Sequence, residues 1–203
     1  MSKPRIVVVG GGAGGLPLVT KLGAKLGKYG NADITLVDSS NIHVWKPRFH
    51  EVATGAIDAD LDAVDYRAHA QLNHYRFEPG TLTQVDTTGQ TLTLAPLHDA
   101  HGSEVLPERK LSYDYLVLAT GSQSNDFGTP GVRDNCLFMD SRAQAERFRE
   151  RFLNACLHAN HESKPVSVAI VGGGATGVEL AAELHHAVST VSYTHLTLPT
   201  NGC

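Results

Sequence analysis

The fold of this chain is decided by Arg5-Ile-Val-Val-Val-Gly10-Gly-Gly12-Ala-Gly14-Gly15, an apolar β-branched run that ends in closely spaced glycines. Such a run is typical of a strand buried on both faces of a parallel sheet. The G-x-G-x-x-G spacing after it predicts a tight turn into a helix, whose first amide groups can bind a dinucleotide pyrophosphate. The stretch therefore predicts the opening unit of a dinucleotide-binding domain.

A second copy of the pattern lies far along the chain, in Val168-Ala-Ile-Val-Gly172-Gly-Gly174-Ala-Thr-Gly177-Val-Glu179. It again joins an apolar run to a glycine loop. The helix after it is predicted by Val178, Leu180, Ala181 and Leu184. Two such units imply two dinucleotides. Glycine-rich turns without a ligand stay the alternative, above all for the second copy, after which the sequence shows neither the expected second strand nor its acidic residue.

An acidic residue follows the first unit at the place where a ribose is bound. Ile34-Thr-Leu-Val-Asp38 predicts a second buried strand that ends in an aspartate, about 20 residues beyond the glycine loop. A carboxylate there accepts hydrogen bonds from the adenosine ribose and repels a 2′-phosphate, so FAD or NAD suits this site better than NADP. The alternative is a solvated aspartate at a strand end.

The middle of the chain predicts a small antiparallel layer beside the parallel sheet. A helix is expected over 58–74, with an apolar stripe of Leu61, Val64, Ala68 and Leu72. After this helix the pattern changes to apolar and polar residues that alternate, which is typical of β-strands. Residues 81–94 predict an antiparallel hairpin, and 104–112 are a candidate for a further strand.

The chain is then expected to return to the parallel sheet and to enter a long helix. Residues 113–121 predict a buried strand that ends in small residues. A helix capped by Asp140 or Ser141 is expected to run to about Ala159. The fold class is therefore α/β, with Rossmann-like FAD/NAD(P)-binding domains, a parallel sheet and a small antiparallel β layer.

The composition of the chain argues against several classes of function. The 203 residues are 41% hydrophobic and carry a net charge of −4, which offers no basic field for nucleic acid. No apolar stretch approaches the roughly 18–20 residues of a membrane-spanning helix, and the N-terminus does not resemble a secretory signal, so a soluble, cytoplasmic chain is expected. Cys136, Cys156 and Cys203 form no C-x-x-C pair, which fits a reducing compartment.

The His-x-x-His pairs at 98/101 and 158/161 lack a further ligand set at zinc spacing, so no metal site is expected.

Several stretches together carry a resemblance to a known family, in the family's order. They are Ile34–Asp38, His43-Val-Trp-Lys-Pro47, His50-Glu-Val-Ala-Thr-Gly55, Ala119-Thr-Gly-Ser122 with Ser124-Asn-Asp-Phe127, and Gly172-Gly-Gly-Ala-Thr-Gly-Val-Glu-Leu180. Over residues 4–188 or so, the chain resembles the two-dinucleotide flavin oxidoreductases. Within them it is similar to the type II NADH:quinone oxidoreductases, the single-subunit NADH dehydrogenases of bacterial respiratory chains.

This resemblance implies hydride transfer from NADH to non-covalent FAD and delivery of electrons to a membrane quinone, chemistry that the cofactors carry. It implies that the FAD pyrophosphate is held by Gly10, Gly12, Ala13, Gly14 and Gly15, with Asp38 on the ribose. Further FAD contacts are implied for Lys46, Pro47, Thr54, Val85, Thr120 and Gly121. For NADH the implied residues are Gly172, Gly174, Ala175, Thr176 and Gly177, with Glu179 as the catalytic residue at the nicotinamide and quinone end.

Simpler interpretations of three of these residues stay open. Lys46 is equally a solvated loop lysine, and Val85 equally a core residue of the hairpin. Glu179 and Glu183 share a helix face and could both be solvated acids.

Two other functions also stay open. Disulfide reductases need a cysteine pair beside the flavin, and residues 39–55 contain no cysteine. A sulfide:quinone reductase or another flavin reductase of the disulfide type would have to use Cys136 or Cys156. The remaining alternative is an inactive nucleotide-binding fragment.

The resemblance ends near Val188. We therefore expect residues 1–135 to be the N-terminal part of an FAD-binding domain and 136–191 the start of a truncated NAD(H)-binding domain. Residues 192–203 are expected to be a non-native tail. The full-length parent is expected on the cytoplasmic face of the inner membrane, attached through a C-terminal region, and a homodimer stays open.

Overall fold

The computed structural model of the chain describes residues 2–61 and 63–192, with side chains described up to residue 188. These residues form two compact units, the first from 2–43 and 63–121 and the second from 44–61 and 122–192. This grouping does not test the expected boundary between cofactor domains at residue 135, which stays a prediction. The expected tail at 192–203 begins at Ser192, the last described residue, and the rest of it, with Cys203, lies outside the described residues.

A four-stranded parallel sheet forms the centre of the first unit. Its order is β11 (Tyr115–Leu118), β1 (Arg5–Val9), β2 (Asp33–Asp38) and β5 (Arg76–Pro79). Val8 of β1 faces Val117 and Leu36 on its two neighbours, and both Val8 and Leu36 are fully buried. The apolar runs therefore lie inside the sheet, as predicted.

The helix that follows β1 packs on this sheet. Helix α1 (Gly15–Leu22) continues as a π-helical turn over Gly23–Gly27. Val19 is fully buried, and Leu18, Leu22 and Leu26 pack against the same core. The helix that the glycine spacing predicts after β1 is therefore present, with one apolar face buried.

The predicted antiparallel layer is also present in the first unit. Strands β6 (Leu82–Asp86) and β7 (Thr91–Leu94) form the hairpin, and β10 (Arg109–Ser112) pairs with the other edge of β7. A separate two-stranded hairpin joins β8 (Leu97–His98) to β9 (Glu104–Leu106). The fold class predicted from the sequence is confirmed.

The helix predicted over residues 58–74 is largely wrong. Residues Ile42–His43 (β3) pair with Val64–Asp65 (β4), so the chain is extended where the helix was expected. Helix α3 therefore begins only at Tyr66 and ends at Leu72, with the Asp65 carboxylate accepting a 2.8 Å hydrogen bond from the Ala68 amide. Leu61 and Leu72 are 85% and 78% exposed, while Tyr66 and Ala70 face the core.

Strand β11 joins the sheet as predicted, but it is less buried than expected. Its only strand neighbour among the described residues is β1. Because the other edge of β11 is open there, Tyr115 and Leu118 are 63% and 58% exposed.

The second unit is helical. It contains α2 (Phe49–Thr54), α4 (Val132–Asn135), α5 (Arg142–Glu162) and α6 (Ala175–Ser192), with a short 3-10 helix at Lys46–Arg48. A capping box between Ser141 and Gln144 starts α5, which confirms Ser141 as the predicted cap. The core of the unit joins Phe49, Val52, Phe148, Leu180 and Leu184.

The strand predicted before the second glycine loop is not formed. Residues 164–173 have no regular structure, and Val168, Ile170 and Val171 are 44%, 38% and 91% exposed. A parallel strand is stable only between neighbours, and none pairs with this segment among the described residues. The apolar face of α6 also differs from the prediction, since Val178 is 60% exposed while Leu180 and Leu184 are buried.

Candidate functional site

The first glycine loop packs tightly at both ends. The Gly10 amide donates a 2.7 Å hydrogen bond to the Val37 carbonyl, and Gly10 has a φ of +100°. A Cβ on Gly10 would overlap the Ala119 carbonyl, and one on Gly15 would overlap the Gly10 carbonyl oxygen. Both glycines are required because backbone approaches backbone at these two positions.

The middle of this loop is open. No atom lies within 4 Å of where a Cβ on Gly12 or Gly14 would stand, and Ala13 is exposed. The Leu16 amide donates to the Gly12 carbonyl at 3.1 Å, so the helical ladder begins within the loop. The first amides of a helix have no acceptor inside the helix, and here they adjoin open space. The loop can therefore receive an anionic group such as a phosphate.

Asp38 lies beside this loop. Its Oδ2 accepts a 2.7 Å hydrogen bond from the Gly11 amide, and its Oδ1 accepts a 2.8 Å bond from the Ser40 amide. The structure thus brings together the predicted pyrophosphate loop and the predicted ribose-binding acid. Binding of a ribose by Asp38 stays a prediction.

Two residues behind the loop were missed by the sequence analysis. The Tyr66 hydroxyl donates a 2.8 Å hydrogen bond to the Gly11 carbonyl and lies 3.4 Å from Nδ1 of His43. Burial raises the pKa of Tyr66 and lowers that of His43. The only sign of this contact in the sequence is Gly11. It occupies a position of the G-x-G-x-x-G pattern where the pattern itself does not require glycine.

The other FAD residues proposed in the first unit have different environments. Thr120 and Gly121 are exposed and directly follow Ala119, whose amide donates to the Val9 carbonyl at 2.7 Å. They lie at the carboxyl ends of the parallel strands, as the glycine loop does. Val85 faces Leu92 in the hairpin and packs half-buried on its core, so the alternative role as a core residue has a structural basis.

The second glycine loop repeats the turn and the helix start of the first, but among the described residues Gly172 lacks the close backbone neighbour that Gly10 has in Ala119. Gly172 has a φ of +108°, and a Cβ on Gly177 would overlap the Gly172 carbonyl oxygen. Gly173 and Gly174 adjoin open space, and the Val178 amide donates to the Gly174 carbonyl at 3.1 Å. Ala175 and Thr176 form the first turn of α6. The loop conformation is therefore present even without a strand before it.

Glu179 of α6 faces a buried histidine of α2. Its Oε2 lies 3.3 Å from Nδ1 of His50, which is only 8% exposed. This nitrogen has no hydrogen bond of good geometry among the described residues, although the distance is that of an ion pair. Glu179 itself is about half exposed, so its carboxylate reaches solvent while one oxygen contacts the imidazole. His50 is not among the site residues that the sequence predicts.

Lys46 is held by neighbouring polar groups rather than free in solvent. Its Nζ donates to the Ser122 carbonyl at 2.8 Å and to Oδ1 of Asp140 at 3.1 Å. Burial acts to raise the pKa of Asp140, but hydrogen bonds from Ser124 and Lys46 outweigh it and lower that pKa. Pro47 is exposed in the 3-10 helix, and the Thr54 hydroxyl donates back to the Glu51 carbonyl at 3.1 Å.

The described cysteines do not form a redox pair. Cys136 and Cys156 are both free thiols, and burial raises the pKa of Cys156. Reactive thiols in enzymes have lowered pKa values, so Cys156 has the character of a packing residue. Within residues 2–61 and 63–192, no cluster of side chains suits a metal ion, and no helix is long and apolar enough to cross a membrane.

Comparison with known proteins extends these observations. The family model described as pyridine nucleotide-disulphide oxidoreductase matches residues 4–197. A type II NADH:quinone oxidoreductase of Haemophilus influenzae is 44% identical over 204 residues, covering 92% of this chain and 46% of that protein.

Two solved structures share the fold. NDH2 from Plasmodium falciparum in complex with NADH matches with a TM-score of 0.76 at 24% identity, over 95% of this chain and 39% of that one. The sulfide:quinone oxidoreductase of Aquifex aeolicus matches with a TM-score of 0.69 at 22% identity, over 94% and 40%. The chain therefore spans less than half the length of each of these three proteins.

Proposed function

The chain belongs to the pyridine nucleotide-disulphide oxidoreductase family, and we propose that it is the N-terminal part of an FAD-dependent type II NADH:quinone oxidoreductase. The observation that carries this proposal is the pair of glycine loops with one shared geometry, the first of them beside Asp38. The similarity to the Haemophilus influenzae enzyme supports the choice of activity.

The first unit suits the adenosine and pyrophosphate half of FAD. Gly10 and Gly15 set the close backbone packing, while Gly12, Ala13 and Gly14 leave the space that phosphates need. Asp38 accepts hydrogen bonds from the ribose, and its charge excludes a 2′-phosphate. The resemblance adds Val85, Thr120 and Gly121 of this unit as further FAD contacts. Lys46, Pro47 and Thr54, the other FAD residues that the resemblance implies, belong to the second unit.

The second unit suits the pyrophosphate of NADH. Gly172, Gly174, Ala175, Thr176 and Gly177 form a loop and a helix start of the same kind, whose positive helix end favours an anion. The choice between NADH and NADPH follows from the resemblance alone.

When bound, FAD would supply the redox chemistry that links oxidation of NADH to reduction of a quinone. The protein contributes binding and electrostatics. Glu179 is proposed at the nicotinamide and quinone end, where its half-exposed carboxylate contacts the buried imidazole of His50. In the full-length parent, a C-terminal region would attach the enzyme to the cytoplasmic face of the membrane.

Purification of the chain followed by anaerobic titration tests this function. A flavin absorption band that is bleached by NADH is expected. Bleaching by sulfide and not by NADH would instead favour the sulfide:quinone reductase, which the fold match with the Aquifex aeolicus enzyme keeps as a second candidate. A bound flavin that neither reagent bleaches would leave only an inactive nucleotide-binding fragment.

A further inference from the structure

Tyr66 is buried directly behind the first glycine loop. The residue is 2% exposed, and its ring stacks on Phe77 with centroids 5.2 Å apart. A Cβ on Gly11 would overlap the Tyr66 ring and hydroxyl, so these two residues touch with no space for water between them. The tyrosine is thus a rigid part of the wall that supports the loop.

Gly11 is held on both sides by hydrogen bonds. Its amide donates to Oδ2 of Asp38 at 2.7 Å, and its carbonyl accepts from the Tyr66 hydroxyl at 2.8 Å. The first bond fixes the peptide before Gly11, and the second fixes the peptide that leads to Gly12. Since the amide of Gly12 belongs to that second peptide, Tyr66 determines which way this amide points.

The hydroxyl proton of Tyr66 is committed to the loop. A phenol has one proton to donate, and the Gly11 carbonyl at 2.8 Å is a closer acceptor than Nδ1 of His43 at 3.4 Å. Burial lowers the pKa of His43, while a hydrogen bond from its ring to the Gly11 carbonyl acts to raise it, so His43 is a second donor to that carbonyl. Burial raises the pKa of Tyr66, so the phenol keeps its proton across the physiological range.

We propose that Tyr66 is a positioning residue for the cofactor pyrophosphate: through the Gly11 carbonyl it holds the Gly11–Gly12 peptide so that the loop amides face the phosphates. This inference rests on the proposed FAD site. Without the hydroxyl, the buried Gly11 carbonyl loses its 2.8 Å donor and keeps only the weaker hydrogen bond from the His43 ring, which favours rotation of that peptide. The loop would then bind an anion less well because its amides are no longer arranged in advance.

The test compares Tyr66→Phe with Tyr75→Phe in the chain as it stands. Tyr75 is also buried in the first unit, and its hydroxyl lies 2.9 Å from Nδ1 of His69. It precedes β5, so it lies at the amino edge of the parallel sheet, opposite the glycine loop. Tyr75→Phe therefore removes a similar hydroxyl without touching the loop.

The dissociation constants of ADP and adenosine are measured by calorimetry or ligand-observed NMR, with thermal unfolding recorded for each variant. Tyr66→Phe is expected to weaken ADP binding about fivefold to tenfold, the factor that one hydrogen bond represents, and to leave adenosine binding unchanged. Tyr75→Phe is expected to leave both constants unchanged. A purely structural role would weaken ADP and adenosine alike.

The outcomes separate this inference from the proposed function. If the unmodified chain binds ADP and Tyr66→Phe binds it as tightly as Tyr75→Phe does, the positioning role is refuted and the cofactor site stands. Equal weakening of ADP and adenosine by Tyr66→Phe also refutes the role. If the unmodified chain binds neither FAD nor ADP, the cofactor site is refuted, and the positioning role with it.

Discussion

Replacing Gly15 by alanine is expected to destabilise the first unit strongly. The new methyl group would overlap the Gly10 carbonyl oxygen, well inside the 3.0 Å below which real Cβ atoms essentially never approach a neighbour. Overpacking a core costs about 1–3 kcal/mol, and a backbone oxygen cannot rotate away as a side chain can, so about 3 kcal/mol is expected. For a chain of this size, that corresponds to a melting temperature lower by about 6–12 °C.

Gly12→Ala is the matched control, because a Cβ at Gly12 meets nothing within 4 Å. It is expected to keep the melting temperature or raise it slightly, since alanine restricts the unfolded chain by about 0.4–1 kcal/mol. It should nevertheless weaken ADP binding, because its methyl group occupies the space proposed for phosphate. The melting temperature is measured by far-UV circular dichroism during heating. ADP affinity is measured by titration at a temperature 20 degrees below the melting transition.

This reasoning would be refuted by a Gly15→Ala chain that melts within about 2 °C of the unmodified protein. Equal destabilisation by Gly12→Ala would contradict it too, because the two glycines would then share one role. Unchanged ADP affinity in Gly12→Ala would show that the open side of the loop is not the ligand side.

Three further predictions concern other parts of the chain. Asp38→Ala should lower the FAD content of the purified protein more than Glu179→Ala, as measured by flavin absorbance per chain; equal content would contradict the assignment of Asp38. Hydrogen bonds from Arg5 lower the pKa of Asp114 from 3.8 to about 2, so this contact stabilises the fold above about pH 4 and is lost as the pH falls towards 2. The difference in the free energy of unfolding between the unmodified chain and Asp114→Asn, measured in urea, should therefore shrink as the pH falls from about 4 to about 2. A difference that stays constant would refute this prediction. Ser141→Ala removes the cap of α5 and should lower the free energy of unfolding by about 1 kcal/mol; an unchanged urea midpoint would show that the capping box contributes nothing.

The sequence predicted those parts of the fold whose signals are local. The run at Arg5–Val9, the glycine spacing after it and the strand that ends at Asp38 each depend on neighbours within a few residues. The hairpin of β6 and β7 has the same advantage, since a short turn joins its strands. These elements are where prediction and structure agree.

The misses depend on contacts between distant residues. Helix α3 begins late because Val64 and Asp65 pair with residues 42 and 43, which no helical pattern reveals. The Tyr66 hydrogen bond joins residues 55 positions apart. The second apolar run has the composition of a strand but no paired neighbour among the described residues, and composition alone does not form a sheet.

The strand order of the central sheet also has a consequence for biosynthesis. Strand β2 is synthesised soon after β1 and can pair with it early. The other neighbour, β11, is synthesised much later, because Arg5 of β1 and its partner Asp114 are 109 residues apart. At about 5–20 residues per second, translation leaves one side of β1 unpaired for on the order of ten seconds. During that interval an apolar strand edge is open to other nascent chains. Chaperone protection of the emerging N-terminal segment during this interval would therefore favour the yield of folded protein.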